Sequence, residues 1–245
     1  MNRSFDPHLG AWSNSHMRAI LNEIVATARR TIGCLFALVV CANAALAATL
    51  ELSVLGETLY FPIPNGYCAL DTRFRSDHAA LDFLNEVQSG RNEILAGFAD
   101  CAQISSFRNG TRDAFDDYGV YFTMLPKKKI PGISRQEFVK AVARPISSFN
   151  WDSVNTDILG ALKKEGADVS DLMTEGGIIY QDDDALYLGF TIAAGTEAEA
   201  GVGGITLLKA IPISTNIYTP LKGADSFRVL LQRSRRLIRD LESVN

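Results

Sequence analysis

The chain has 245 residues, with 24 lysines and arginines, 28 aspartates and glutamates, and a formal net charge of −4. This length is enough to bury a hydrophobic core, and 47% of the residues are hydrophobic. The mildly acidic balance argues against general nucleic-acid binding, because such proteins carry concentrated basic charge. We therefore expect no nucleic-acid partner.

The N-terminal region has the pattern of a secretory signal peptide. Arg29 and Arg30 precede an uncharged apolar stretch, residues 31–47, which ends in an Ala-Leu-Ala motif. A basic segment, a short apolar core and a small-x-small end are typical of an export signal. The stretch is shorter than the roughly 20 residues of a membrane span. We expect cleavage between Ala47 and Ala48; the alternative is retention as an N-terminal membrane anchor.

Cleavage there divides the chain into an N-terminal extension with signal peptide, residues 1–47, and a single mature α+β domain, residues 48–245. We expect the mature domain to be exported, either periplasmic or secreted. The sequence leaves open whether Met1 or Met17 is the true start. It also leaves open lipidation at Cys41, which follows a weak lipoprotein-like sequence.

The mature domain keeps two cysteines, Cys68 and Cys101. Two cysteines in an oxidising compartment most simply form one disulfide. Closing its loop of about 33 residues is worth on the order of 3 kcal/mol in the chain-entropy model. A reactive or metal-binding pair is the alternative, which the missing C-x-x-C spacing disfavours.

The first half of the mature domain is predicted to be rich in strands. Alternation of apolar and polar residues indicates half-buried strands, and Gly56 and Gly66 mark tight turns between them. The predicted elements are strands over residues 50–54, 58–63, 67–70, 94–101 and 118–125, and a helix over residues 77–89 capped by Ser76.

The second half is predicted to begin with helices and to continue with hairpins. Ser134 and Glu137 have the spacing of a capping box, and Pro145 should stop the helix that they open. Pro212 suggests a bulge or a bend over residues 210–212, because proline cannot donate to a ladder. The other predicted elements are a helix over residues 152–164, strands over residues 177–180, 185–193, 202–211 and 213–218, and a closing helix over residues 225–241.

Successive hairpins predict an α+β fold, with a largely antiparallel sheet layered with helices and a long C-terminal helix. The opening hairpin ends in TLYFPIPNGYC, which contains Phe61, Pro64, Gly66 and Tyr67. This segment and the element order resemble the PsbP-like α/β/α sandwich. The chain also resembles uncharacterised exported proteobacterial proteins with a P-x-G-[FY]-C start and one later cysteine. The resemblance implies a fold and carries no function, because this fold serves many roles.

Motifs of common enzymes are missing from the sequence. It has no G-x-S-x-G elbow, no H-E-x-x-H and no Walker loop, and His78 is the one histidine of the mature domain. We interpret His78 as a surface residue on the predicted helix. We therefore assign no catalytic residue, no metal site and no cofactor.

Two acidic groups could support carboxylate chemistry. One contains Asp113, Asp116 and Asp117, and the other is residues 182–184. We interpret the first as a solvated loop and the second as a hairpin turn, which aspartate favours through its own backbone hydrogen bonds.

Two segments are candidate contact surfaces. Lys127, Lys128 and Lys129 form a basic loop between prolines, which could touch anionic lipid or an acidic partner. Residues 196–204 are predicted to form a flexible loop. The arginines of the closing helix are interpreted as its solvent-facing side, with stems covering apolar surface.

Taken together, these features favour a non-catalytic binding or interaction protein of the cell envelope. Its partner would be an envelope protein or a small ligand, with a possible weak contact to anionic membrane. The alternatives are a carboxylate-based hydrolase or other periplasmic enzyme, and a membrane-tethered accessory subunit.

Overall fold

A computed structural model of the chain describes residues 48–87, 90–146, 173–194 and 197–245. The described residues contain nine strands and four helices. The strands are β1 (Thr49–Val54), β2 (Glu57–Pro62), β3 (Tyr67–Ala69), β4 (Asn92–Asp100), β5 (Tyr118–Met124), β6 (Met173–Gln181), β7 (Leu186–Ala194), β8 (Glu197–Leu208) and β9 (Ile211–Pro220). The helices are α1 (Arg75–Val87), α2 (Cys101–Arg108), α3 (Arg135–Ile146) and α4 (Ala224–Ser243).

Seven strands form one antiparallel sheet in the order β3-β4-β5-β9-β8-β7-β6, and β1 and β2 form a separate hairpin. The α+β class, the antiparallel sheet and the long C-terminal helix are therefore confirmed. The predicted opening hairpin and the late hairpins are present, with strand ends shifted by a few residues.

Helix α4 and the hairpin cover one face of the sheet, and helix α1 covers the other. Tyr121 packs with Phe61 of the hairpin and Leu230 of α4 in the main core. The next residue, Phe122, belongs to a second cluster that Leu84 of α1 joins. Because successive strand residues face opposite sides, α4 and the hairpin lie on one face and α1 on the other.

Helix α2 was missed by the sequence analysis, which extended a strand to Cys101. Asp100 instead ends β4 and caps α2, its Oδ1 accepting the Ala102 N–H at 2.9 Å. An N-cap aspartate satisfies a donor that the first helical turn leaves without a partner. Helix α1 begins at Arg75, so Ser76 lies inside the helix and the prediction that it caps the helix was wrong.

The predicted loop over residues 196–204 is also wrong, because β8 occupies residues 197–208. A Cβ on Gly201 would lie 2.2 Å from the Phe190 ring, and one on Gly203 would lie 2.6 Å from Asn216 Oδ1. These glycines therefore make room for neighbouring side chains within a paired strand.

Neither the bulge nor the bend predicted over residues 210–212 forms, and a two-residue turn connects β8 to β9. Lys209 and Ala210 have positive φ angles of 47° and 64°, the conformation of a tight hairpin turn. Pro212 lies in β9 opposite Leu207 with no break in register. Helix α3 includes Pro145 and continues to Ile146, so the proline does not end it. The helix predicted over residues 152–164 lies outside the described residues.

Candidate ligand-binding cleft

A cleft of about 660 Å³ opens beside strand β4. It forms because β3 is only three residues long and pairs with Phe98–Asp100 alone. The pairing ends where the Leu70 N–H donates to the Gly97 carbonyl at 2.8 Å. Over residues 92–96, no other described strand pairs with this edge of β4, and the cleft occupies part of that space.

The interior of the cleft is aliphatic. A register shift between Ile94 and Ala96 inserts Leu95 as an extra residue, and such a bulge redirects side chains. As a result Leu95 and Ala96 both line the cleft and pack with the main core. The larger aliphatic side chains of the lining are Leu50, Leu52, Leu70, Leu81, Leu95 and Ile104.

Gly97 allows the two walls of the cleft to approach the strand. A Cβ at this position would lie 2.9 Å from both Leu70 Cδ1 and Leu81 Cδ2. Any side chain there would force these leucines away. The glycine therefore brings the loop after β3 and helix α1 into contact with β4.

The predicted cysteine pair lies at the cleft. Cys68 lines it, and its sulfur is at bonding distance from that of Cys101, with Cα atoms 4.9 Å apart. The bridge connects β3 to the first residue of α2. It thereby holds together two elements that contribute Ala69 and Ile104 to the lining.

A buried ion pair holds the opening of the cleft in place. Asp77 of α1 has no exposed surface, and its Oδ2 lies 2.6 Å from Nη2 of Arg108 on α2. The same carboxylate accepts the Asp71 N–H at 2.9 Å. The Arg108 guanidinium carbon lies 3.8 Å from the centre of the half-exposed Phe74 ring. Asp77 thus connects α1, α2 and the loop between β3 and α1.

A second, exposed ion pair lies on that loop. Arg73 donates to the Asp71 carboxylate, and these hydrogen bonds lower the pKa of Asp71 to about 2. The Arg73 side chain is 86% exposed. The opening therefore carries two arginine–aspartate pairs, and the Asp71 carboxylate stays ionised over the physiological pH range.

A separate polar cluster surrounds Asp117, away from the cleft lining. Its Oδ1 accepts hydrogen bonds at 2.7 Å from both the Tyr67 hydroxyl and Arg233 Nη2. Burial raises the pKa of Asp117 to about 6, helped by the nearby carboxylates of Asp100 and Asp116. Arg233 acts in the opposite direction, because an adjacent guanidinium favours the carboxylate.

Two expectations about the exposure of charged residues are wrong. Asp117 is half-buried, so interpreting it as part of a solvated loop was wrong. Arg233 and Arg235 of α4 are half-buried too. Arg235 lies 4.4 Å from the centre of the Tyr180 ring, so these two arginines do not belong to the solvent-facing side of the helix.

The basic loop is largely neutralised by glutamates. Lys127 Nζ lies 2.7 Å from Glu93, and Lys129 pairs with Glu57, whose pKa it lowers through a hydrogen bond. Lys128 is exposed and has no ion pair with any described residue. None of the three lysines lines the cleft.

The remaining polar groups have structural roles. Asp182 Oδ1 accepts the backbone N–H groups of Asp184 and Ala185 at 3.1 and 2.9 Å, which confirms the turn interpretation. His78 is exposed, as predicted, and lies 3.4 Å from Asp82. The described part of the chain groups no three histidine, cysteine or carboxylate side chains suitably for a metal ion. No described helix is both long and apolar enough to span a membrane.

Sequence reasoning missed the charged residues at the opening, Asp77 and Arg108. The available signal was local: Asp100 is a favoured N-cap residue, and the eight residues after it end in a basic residue, as a helix C-terminus prefers. Recognising α2 would have placed Arg108 at a helix end near the predicted disulfide. The partner on α1 carries no such signal.

No family model and no curated protein matches the chain. Among solved structures, the chain is similar to the solution structure of cyanobacterial PsbP (CyanoP) from Synechocystis sp. PCC 6803, at 12% identity and a TM-score of 0.36. The match covers 82% of this chain and 94% of that one. A likeness at this level carries no argument about function, and the α+β class rests on the strand order described above.

Proposed function

We propose that this chain is an exported, non-catalytic binding protein whose ligand enters the cleft beside β4. The observation that carries the proposal is the cleft itself. Its volume of about 660 Å³ falls in the range of small-molecule sites, and its aliphatic interior meets charged groups at the opening. The signal-like leader and the cysteine pair at bonding distance support export, since disulfides persist in oxidising compartments.

The geometry gives less support to a carboxylate-based enzyme. Such an enzyme needs a carboxyl with a perturbed pKa inside an apolar pocket. Asp117 has the raised pKa, but it does not line the cleft. The carboxylate that does line the cleft, Asp71, is held ionised by Arg73.

Contact with anionic lipid is a weaker proposal and rests on Lys128. Glu93 and Glu57 neutralise the other two lysines of the loop. A single lysine contributes about 1 kcal/mol near an anionic membrane surface, which is too little for stable attachment. A tethered accessory subunit would need the leader as its anchor.

A ligand screen by thermal shift tests the cleft. The full chain, purified in oxidised form, is mixed with a library of apolar and amphipathic small molecules. A compound at 100-fold its Kd should stabilise the protein by about 2.7 kcal/mol. Leu52→Gln, which puts a polar group in the cleft, should abolish that shift.

Ile179→Gln is the matched control, because Ile179 is 41% exposed on β6 and does not line the cleft. It should leave the ligand-induced shift unchanged. A library without any stabilising compound, or an equal shift in Leu52→Gln, would reject the cleft as the binding site.

A further inference from the structure

We infer that the cleft binds an amphiphile with one alkyl chain and a carboxylate head, and that Arg108 receives the head. The inference rests on the function proposed above and adds the ligand class. The alkyl chain would lie against the leucines of β1, α1 and β4, and the head would lie at the charged opening.

The lining selects a flexible aliphatic chain. Its larger apolar side chains are leucine and isoleucine from five different segments of the chain. The aromatic ring that lines the cleft is Phe74, which is 43% exposed at the opening and already packed against Arg108. Flat ring systems gain from stacking on aromatic faces, which this interior does not offer.

Arg108 has hydrogen-bond donors left for a ligand. Its Nε and Nη2 donate to Asp77, at 3.1 and 2.6 Å from Oδ2. Its Nη1 makes no hydrogen bond to any described residue, and the side chain is 24% exposed and lines the cleft. Arginine N–H groups match the geometry of a carboxylate.

The guanidinium is also fixed before a ligand arrives. Asp77 holds one edge of it and the Phe74 ring covers one face. Fixing a side chain in advance reduces the entropy lost on binding. Arg73 adds a second cation that lines the cleft, and its exposed ion pair to Asp71 is weak enough to exchange for a ligand carboxylate.

Calorimetric titration of the full, oxidised and delipidated chain tests the ligand class. The probes are octanoate, decanoate and dodecanoate for the alkyl chain, and dodecanol and dodecyl phosphate for the head. Each added methylene should raise the affinity about four-fold while the cleft accommodates it. Dodecanol should bind about ten-fold more weakly than dodecanoate.

Arg108→Lys tests the head-group contact and keeps a positive charge beside Asp77, so that the fold is preserved. It should weaken dodecanoate about ten-fold and leave dodecanol unchanged, because lysine lacks the Nη1 donors. Arg228→Lys is the matched control on an exposed helical ion pair and should change neither affinity.

Each outcome separates this inference from the proposed function. Equal binding of dodecanol and dodecanoate, or an unaffected Arg108→Lys variant, overturns the role of Arg108. Tighter binding of dodecyl phosphate overturns the carboxylate assignment. If no alkyl probe binds but another compound gives a cleft-dependent thermal shift, the ligand class is wrong and the proposed function stands. If no compound gives such a shift, both are wrong.

Discussion

Asp77 is the single residue on which the opening of the cleft most depends. It is fully buried, and it is shared between the Arg108 guanidinium and the backbone of Asp71. A buried carboxylate without a partner would be costly, so its position is tied to that of Arg108. Loss of this ion pair should therefore disturb α1, α2 and the loop between β3 and α1 together.

Asp77→Asn should destabilise the protein by about 2 kcal/mol. Breaking a fully buried ion pair typically costs about 3–5 kcal/mol. We expect roughly half of that loss here, because the Arg108 side chain reaches solvent. Urea unfolding of the full chain measures it. Asp71→Asn is the matched control at the solvent-exposed pair with Arg73 and should destabilise the protein clearly less than Asp77→Asn, because exposed ion pairs contribute little. Equal effects of the two substitutions would contradict the structural role of Asp77.

Asp117 should make stability depend on pH. Its pKa is about 6 in the fold against an ordinary value of 3.8, so the folded protein holds the proton more tightly. The resulting stabilisation is complete below about pH 4 and is lost as the pH rises through about 6. As the pH rises from about 4 to about 6, the urea concentration at the unfolding midpoint should therefore decrease more for the wild type than for Asp117→Asn.

The control for that measurement is Asp113→Asn, a substitution at an exposed aspartate of the same loop. It should reproduce the wild-type pH dependence. If Asp117→Asn also shows the wild-type pH dependence, the Asp117 carboxyl has an ordinary pKa in the folded protein. The ion pair with Arg233 would then outweigh the effect of burial.

At the scale of elements, strand β8 shows where sequence reasoning reaches its limit. Small residues and glycines over 196–204 predicted a loop, because most of these residues have little side chain to bury. In the fold, the Phe190 ring lies over Gly201, so the apolar contact comes from the neighbouring strand. The sequence of the segment shows only its own side chains. The contacts that bury β8 come from side chains of neighbouring strands, which occupy the space beside its glycines.

Turns and caps with their own chemistry were predictable from sequence. Gly56 and Gly66 have φ angles of 80° and 85°, which favour glycine. The Ser134–Glu137 capping box forms as expected, with the Glu137 carboxylate accepting from Ser134. The buried pair at the cleft joins residues 31 positions apart in the chain. The local signal that places Arg108 at a helix end therefore gives no indication of its partner on α1.

The disulfide should stabilise the elements around the cleft. The pair closes a separation of 33 residues, for which the chain-entropy model gives about 3.7 kcal/mol. Replacing Cys68 and Cys101 with serine should lower the melting temperature, and reducing agent should have no further effect on that variant. Replacing Cys34 and Cys41 is the matched control and should leave the melting temperature unchanged. An unchanged melting temperature in the first variant would rule out the bond.

At the scale of the whole molecule, hairpin periodicity predicted the layered α+β class, while the cleft required the assembled fold. The cleft depends on a three-residue β3, a bulge at Leu95 and a glycine at 97 that admits two leucines. Each is a small irregularity, and none has meaning until the strands are paired. Hydrophobic periodicity therefore does not predict a cleft that is formed by irregularities of a regular sheet.

The remaining prediction at the scale of the whole molecule is export, with cleavage of the signal peptide between Ala47 and Ala48. The envelope form should begin at Ala48 whether translation starts at Met1 or Met17, because both precede the same signal. Intact-mass and N-terminal analysis of the protein from envelope fractions measures this. A retained leader would support the anchor, and a lipid-modified N-terminus at Cys41 would support lipidation.

Two substitutions at the cut separate recognition of the signal from a general effect of charge. Ala47→Asp places a large, charged residue at the last position of the small-x-small motif and should block cleavage. Leu46→Asp adds the same charge one residue earlier, at the position where the motif tolerates any side chain, and should be cleaved normally. Cleavage of both variants would mean that the Ala-Leu-Ala motif is not the recognised site, and Ala48 would then not be the first residue of the exported domain. Cleavage of neither variant would mean that a charge near the cut blocks processing in general.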